Sequence, residues 1–182
     1  CPVWAFGQNM AQNQVFLASN EVFIKIFATD KNYDFRSEKF AGRFDENQNF
    51  FEFNLPLNSV APLESPNDIT VFKDLFMVNL GNHVINLTAS FQDPLTNIKD
   101  FNSPQEFVMD GWLTVADKRY NVPVIMSLFY NNDVLFYRMR TEVDMYTLKW
   151  PMPVHYQKFL TGMLQIQVND GQWRDLNKMT NK

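Results

Sequence analysis

Two long apolar-rich runs of alternating side-chain character, separated by a short polar break, constrain this chain more than any other feature. They occupy residues 107–129 and read FVMDGWLTVADKRYNVPVIMSLF, with the break at Asp117 and Lys118. Alternation with a period of two, carried by β-branched and aromatic residues, is typical of strands, and a short polar break between two such runs is typical of a hairpin. Strands of this length predict a large curved sheet.

The alternation also assigns the two faces of this hairpin. We expect the more apolar face to point inward, although a shift of one residue in the pairing register would reverse the assignment. That face carries Phe107, Met109, Gly111, Leu113 and Val115 in the first run, and Tyr120, Val122, Val124, Met126, Leu128 and Tyr130 in the second.

The apolar content of the chain is high for its length. A chain of 182 residues is expected to form one domain, and 46% of these residues are hydrophobic, with 18 Phe among them. This composition excludes a disordered chain. It predicts either an unusually large apolar core or an apolar cavity.

Charge and cysteine content exclude several classes of protein. The net charge is −4, and lysine and arginine form no basic block, so the basic face that nucleic-acid binding requires is missing. The single cysteine, Cys1, excludes an intrachain disulfide and a cysteine-based metal site.

The N-terminal sequence predicts export. Residues 1–14 are expected to be a signal-peptide remnant or a disordered N-terminus, since small residues follow an apolar stretch at Ala5 and Gly7. Alternatively, Cys1 is the acylated residue of a lipoprotein, or simply a fragment boundary. We expect a soluble periplasmic protein, because no later apolar run approaches the roughly 20 residues of a membrane span, and membrane association only if Cys1 is acylated.

The remaining sequence predicts antiparallel strands with one helix between them. Ser65 is the expected N-cap of this helix, with Pro66 in its first turn, Asp68 completing a capping box and Gly81 as its terminator. A turn is expected at Ser19 and Asn20, and a loop over residues 30–37. The predicted strands cover residues 15–18, 21–29, 39–45, 49–57, 83–91, 107–115, 120–130, 134–144 and 163–168, and the predicted helix covers residues 65–77.

An all-β fold follows, and we expect an antiparallel eight-stranded lipocalin-like β-barrel over residues 15–170, with one inserted helix. Closing such a sheet removes its edges, and about eight strands enclose room for packed side chains or for one small ligand. A two-sheet sandwich is the alternative. Residues 171–182 are expected to form a polar tail.

Catalytic motifs are scarce. His83 and His155 lack the spacing of a metal site, so neither a metal nor another cofactor is expected. Asp144 with His155 or with Glu142 is the remaining acid–base candidate, and exposed strand-end carboxylates are the alternative. Asn86 begins a glycosylation sequon but lies in a predicted strand, so we interpret it as structural.

Apolar residues are the affirmative signal. Methionine and aromatic side chains suit a cavity for a long flexible chain, although they could equally pack against one another as a solid core. Arg138 and Arg140 could meet an anionic headgroup at a barrel mouth or form a solvated outer face with Glu142. The candidate ligand-binding residues are Phe51, Phe53, Leu55, Phe72, Phe76, Ile85, Leu87, Met109, Leu113, Met126, Leu128, Tyr137 and Met139.

Several stretches between residues 19 and 168 resemble the YceI-like family, the lipocalin-shaped barrels of bacterial envelopes. The order and spacing of these stretches carry the resemblance, since each motif is loose. They are GWLTV at 111–115 followed by Lys118 and VPV at 122–124, AGRFD at 41–45, the strand at 51–60, FKDLF at 72–76, the strand at 85–91, and EVDMY at 142–146.

The resemblance implies an extracytoplasmic barrel that holds an isoprenoid-like or other amphiphilic lipid without catalysis. Two departures bear on the ligand. The RDxHL pattern of the family is replaced by NDITV at residues 67–71, and the histidine of its central turn is replaced by Ala116 and Asp117. Recognition of the lipid headgroup is therefore expected to be different or absent here.

Three functions remain open from the sequence. The first is a periplasmic carrier or binder of an isoprenoid-type lipid. The second is a structural or interaction barrel of the cell envelope, with a filled core and a partner surface around residues 150–156. The third is an enzyme, which would need polar groups inside the barrel, whereas Glu52, Asn54 and Asp110 are expected to face outward.

Overall fold

The computed structural model describes residues 15–45, 49–76, 84–91, 98–115, 118–132 and 134–175. Within these ranges no helix has both the length and the apolar character to cross a membrane. The strands are β1 (Val15–Ala28), β2 (Tyr33–Asp45), β3 (Phe50–Pro56), β4 (Ala61–Pro62), β5 (Val84–Ser90), β6 (Gln105–Val115), β7 (Lys118–Asn131), β8 (Val134–Asp144) and β9 (Leu160–Asp175), and the α-helix is α1 (Ile69–Phe76).

The sheet closes on itself. Its strands follow the order β1-β9-β8-β7-β6-β5-β3-β2, and β1 also pairs with β2 to complete the ring, while the short β4 adds to β2 outside it. Every pairing in the ring is antiparallel. The predicted eight-stranded barrel is therefore confirmed, and its closure leaves none of the eight strands with a free edge.

The hairpin of β6 and β7 has the predicted faces. Its register runs from Val115 opposite Lys118 to Gln105 opposite Leu128, with Met109 opposite Val124. The predicted inner face is buried along most of its length, and the alternate positions are exposed or half-buried. The turn at residues 116–117 lies outside the described residues.

The N-terminal part of the barrel corrects two predictions. No turn forms at Ser19 and Asn20, because β1 continues through them with a register shift between Asn20 and Val22. The expected loop at residues 30–37 is correct only up to residue 32, since β2 begins at Tyr33 and buries Phe35 and Ser37 inside. Ser37 can be buried there because its hydroxyl forms a hydrogen bond with the Ser59 hydroxyl, 2.6 Å away.

The C-terminal strand is longer than expected. The sequence predicted a strand over residues 163–168 and a polar tail from residue 171, but β9 continues to Asp175. Gly171 is not a terminator: it lies against the Tyr137 ring, where an added Cβ would overlap the ring carbons. Trp173, two residues on, is fully buried. Residues 171–175 therefore belong to the barrel.

The helix lies at one end of the barrel. A 3-10 turn, Pro66–Asp68, leads into α1, and Ser65 precedes it without a side-chain capping bond. Asp68 instead accepts a bond from Lys31 at 2.9 Å. Phe72 packs on Phe35 near the start of β2. The residues expected at the helix end, Met77 and Gly81, lie outside the described ranges.

Candidate functional site

The structure places every predicted ligand-binding residue in the barrel interior or under the helix. Each of them is at most 3% exposed. Those on strands occupy inner-face positions that alternate with exposed or half-buried neighbours, and Phe72 and Phe76 line the buried side of α1. The sequence thus located these side chains correctly, and their role in binding remains a prediction.

Three methionines form a flexible patch on this inner face. Met126 on β7 lies directly opposite Met139 on β8, and Met109 lies on the adjoining strand β6. All three are at most 3% exposed. Because thioether side chains adapt their shape at little cost, this patch is the part of the interior best able to rearrange around a guest chain.

An aromatic cluster fills the other part of the interior, and its centre is a residue the sequence analysis missed. The indole of Trp173 stacks on the rings of Tyr137, Phe53 and Phe44 at centroid distances of 4.2, 5.4 and 5.7 Å. The sequence signal for Trp173 is its alternation with the polar residues Gln172 and Arg174. The structure matches it, since Gly171 and Trp173 are buried and Gln172 and Arg174 are exposed.

Two buried polar atoms have no hydrogen-bond partner among the described residues: Thr141 Oγ1 and Trp173 Nε1. Leaving such a group unsatisfied costs about 1–3 kcal/mol. Tyr137 is better served, since Asn20 Nδ2 donates to its hydroxyl at 2.8 Å. Burial raises the pKa of the Tyr137 phenol, with the Asn20 bond acting in the opposite direction, so the phenol is neutral. The interior thus offers neutral polar groups to a ligand.

Buried charge is confined to the barrel ends. Among the described residues, the buried charged side chains are Asp45, in the last position of β2, and Asp68, beside α1. Glu52, Asn54 and Asp110 lie on the outer face, as predicted. The described middle of the barrel therefore holds no pair of ionisable groups suited to acid–base chemistry.

A cap closes the helical end of the barrel. It consists of α1 and the cap loop, which we define as residues 145–159. The Trp150 indole donates to the Leu75 carbonyl oxygen at 3.0 Å and stacks on the Tyr120 ring at 4.8 Å. Tyr156 donates its hydroxyl to Asp74 at 2.7 Å. Burial, and then this bond, raise the pKa of Tyr156, so the hydroxyl keeps its proton. Helix and loop are joined into one lid.

The candidate acid–base residues have structural roles. The Asp144 carboxylate accepts bonds from the Thr147 hydroxyl at 2.7 Å and from the backbone N–H groups of Thr147 and Tyr146. The Thr147 hydroxyl is the main reason why the pKa of Asp144 is lowered. His155 instead packs against the Tyr156 ring. Among the described residues no cluster could hold a metal ion, and His83 lies outside them.

The remaining candidates from the sequence, Asn86, Arg138 and Arg140, lie on the outer face of the barrel. The Asn86 amide on β5 donates across to β3, to Glu52 at 2.7 Å and to Asn54 at 3.0 Å. Arg140 lies 3.7 Å from Glu142, the solvated pair that the sequence favoured. Arg138 lines an outer groove of about 410 Å³, together with Ser127, Phe129, Phe136 and Gln172. This groove lies on the wall of the barrel and not at its mouth.

Comparison with known proteins gives structural likenesses only. No protein-family model matches the sequence, and no curated protein matches it. A polyisoprenoid binding domain from Saccharophagus degradans, implicated in plant cell wall breakdown, superposes with a TM-score of 0.65 at 8% identity, covering 90% of this chain and 99% of the other. Burkholderia cenocepacia BcnA superposes with a TM-score of 0.59 at 14% identity, covering 84% and 95%.

Both structures are YceI-like barrels. At these identities the likeness concerns the fold, and it agrees with the resemblance that the sequence motifs carry. The chain therefore has the fold of the YceI-like barrels.

Proposed function

We propose that this protein is a non-catalytic binder and carrier of an isoprenoid-type or other amphiphilic lipid, held inside the barrel. The observation that carries the proposal is the closed barrel with an apolar inner face, on which Met109, Met126 and Met139 form an adaptable patch between the cap and the Trp173 cluster. The polyisoprenoid binding domain with the same fold supports the choice of ligand class.

The unpartnered polar atoms favour an amphiphile over a plain hydrocarbon. Trp173 Nε1 can donate and Thr141 Oγ1 can donate or accept, and both lie buried. A lipid that brings an oxygen to either atom would relieve the cost of burying it without a partner. The described interior offers such a headgroup no charged partner away from the barrel ends.

The periplasmic location is part of the proposal and rests on the sequence of residues 1–14 alone. Fractionation of the cells that produce the protein tests it. Recovery of the protein in the periplasmic fraction would support export, and recovery in the cytoplasmic fraction alone would contradict it.

A second candidate function is an interaction barrel with a filled core. The Trp173 cluster favours it, because Trp173, Tyr137, Phe53 and Phe44 occupy much of their section of the interior. In that case the methionine patch would be ordinary core packing, and partners would bind the surface around residues 150–156.

Native mass spectrometry after mild extraction separates the two candidates. A lipid carrier should show a population with a bound lipid mass, and Met126→Trp should lower it because the indole fills the methionine patch. Val108→Trp, at a 67% exposed outer position, is the matched control and should leave it unchanged. Lipid-free protein in every preparation, or unchanged lipid content in a folded Met126→Trp variant, would favour the filled barrel.

A further inference from the structure

The cap loop exposes an apolar side chain at the end of the barrel where the lid lies. Val154 is 73% exposed. Tyr146 in the same loop and Leu63, whose backbone N–H bonds Asp34 near the start of β2, are each 46% exposed. The other exposed large hydrophobic residues among those described, Val108 and Trp112, lie on the outer face of β6, where Arg119 stacks over Trp112 at 4.3 Å.

Val154 is held outward by anchored neighbours. Before it, Trp150 is fixed to α1 through the Leu75 carbonyl; after it, Tyr156 is fixed through Asp74. The backbone N–H of Tyr156 also donates to Pro153 at 3.0 Å, which closes a turn around Val154. Val154 thus lies in a short segment fixed at both ends, with its side chain open to an outside partner.

The charges of the cap loop match a phosphate-bearing surface. Lys149 and Lys158 flank Val154 and are exposed, and no Asp or Glu occurs between Asp144 and Asp170. Asp144, just before the loop, carries a negative charge that the bond from the neutral Thr147 hydroxyl stabilises rather than cancels. This loop is thus cationic on a chain whose net charge is −4.

Other charges at this end of the barrel are mixed. Lys73 is exposed on α1, while Asp30 and Glu64 are exposed on nearby connections. Lys31 offsets the charge of Asp68, whereas the Tyr156 hydroxyl that bonds Asp74 is neutral and offsets none of its charge. The cap loop alone, and not the whole end, therefore attracts phosphate. Anionic lipid should strengthen the interaction only modestly.

We propose that the cap loop is a membrane-contact surface, which inserts Val154 between lipid headgroups while Lys149 and Lys158 contact phosphates. An apolar tip flanked by lysines is suited to the interfacial region of a bilayer. The sequence had tied membrane association to acylation of Cys1, whereas this contact needs no lipid anchor. The membrane contact rests on the proposed lipid-carrier function and extends it, because it would place the lid of the barrel against the bilayer that supplies the lipid.

Co-sedimentation with vesicles tests the contact. One set of vesicles contains phosphatidylcholine, and the other contains equal parts of phosphatidylcholine and phosphatidylglycerol. Val154→Glu should weaken binding to both by about tenfold or more, because a charge replaces an inserted apolar group. Lys149→Glu and Lys158→Glu should each weaken binding to the anionic vesicles by about fivefold.

The control is Val108→Glu, which introduces the same charge at a 67% exposed position on the outer wall and should bind like wild type. The proposal is overturned if wild type sediments with neither vesicle, if Val154→Glu binds like wild type, or if Val108→Glu loses as much binding. Capture of lipid added from detergent separates the membrane contact from the lipid-carrier function. Val154→Glu should still capture this lipid, because the substitution leaves the barrel interior unchanged. Vesicle binding without any capture would sink the carrier function, and capture without vesicle binding would sink only the membrane contact.

Discussion

The indole ring of Trp173 stacks on the phenol ring of Tyr137, with the ring centroids 4.2 Å apart and the planes 19° from parallel. The two residues lie on adjacent strands, since Tyr137 pairs with Gly171 and Leu135 pairs with Trp173. This contact ties β8 to β9 inside the barrel, and Phe53 and Phe44 of β3 and β2 stack on the same indole. One ring thus joins four strands.

Truncation of Trp173 should be among the most costly substitutions in the chain. Trp173→Ala removes a fully buried indole and should lower the free energy of unfolding by about 3–5 kcal/mol, measured by denaturant unfolding. Trp112→Ala, at a 38% exposed site, should lower it by about 1 kcal/mol or less, most of it through the contact with Arg119. Equal losses at the two sites would contradict the central position of Trp173.

Gly171 should tolerate no side chain. A Cβ at this position would overlap the Tyr137 ring, so Gly171→Ala should lower the free energy of unfolding by about 1–3 kcal/mol. The double variant Gly171→Ala/Tyr137→Leu should lose less than the sum of its single variants, because the smaller side chain makes room. Strict additivity in this double-mutant cycle would show that the two residues do not conflict.

Removal of the orphaned hydroxyl of Thr141 should stabilise the lipid-free protein. Thr141→Val replaces a buried oxygen that has no partner with a methyl group, and should raise the free energy of unfolding by about 1 kcal/mol. Thr161 offers the opposite case, since its hydroxyl donates to the Phe27 carbonyl at 3.1 Å, and Thr161→Val should not stabilise. A loss of stability in Thr141→Val would mean that the hydroxyl is satisfied in solution.

The turn at Asp144 should contribute to stability only above acidic pH. The pKa of Asp144 in the folded protein lies below its ordinary value of 3.8, chiefly because Thr147 donates to the carboxylate. A lowered folded-state pKa gives a contribution that is present above the unfolded-state pKa and lost as pH falls through the folded-state value. Thr147→Val should therefore lose stability at neutral pH, and the loss should fade only once the pH drops below the folded-state pKa, which itself lies below 3.8. The same loss at neutral pH and below the folded-state pKa in urea titrations would contradict this assignment.

Local alternation explains what the sequence predicted well. In β6, β7 and β8 most inner residues have at least one polar outer neighbour, as Met109, Met126 and Met139 do, so both the strands and the faces of these methionines followed from period two. Where polar residues interrupt a strand, as at Asn20, the pattern failed. There the register shift lets Asn20 bond Tyr137, which is 117 residues away along the chain.

Long-range contacts explain the rest. The bond from Trp150 to Leu75 joins residues 75 positions apart, and no local pattern specifies it, so the cap could be predicted only as a helix and a loop. Glycine favours turns, which agrees with the polar tail predicted from residue 171, although Gly171 here makes room for the Tyr137 ring inside β9. The unpartnered atoms of Thr141 and Trp173 depend on the packing of the whole barrel, which is why sequence periodicity could not identify them.

Nuclear magnetic resonance of isotope-labelled methionine methyl groups tests the central claim, that lipid occupies the barrel interior, most directly. The protein is delipidated and titrated with a polyprenyl lipid, and intermolecular Overhauser effects are recorded. We predict contacts from the lipid chain to the buried methyl groups of Met109, Met126 and Met139 and none to Met163, which is half-buried on the outer side of β9. Contacts to Met163 alone, or a saturating titration that leaves the three inner methyl groups unchanged, would contradict it.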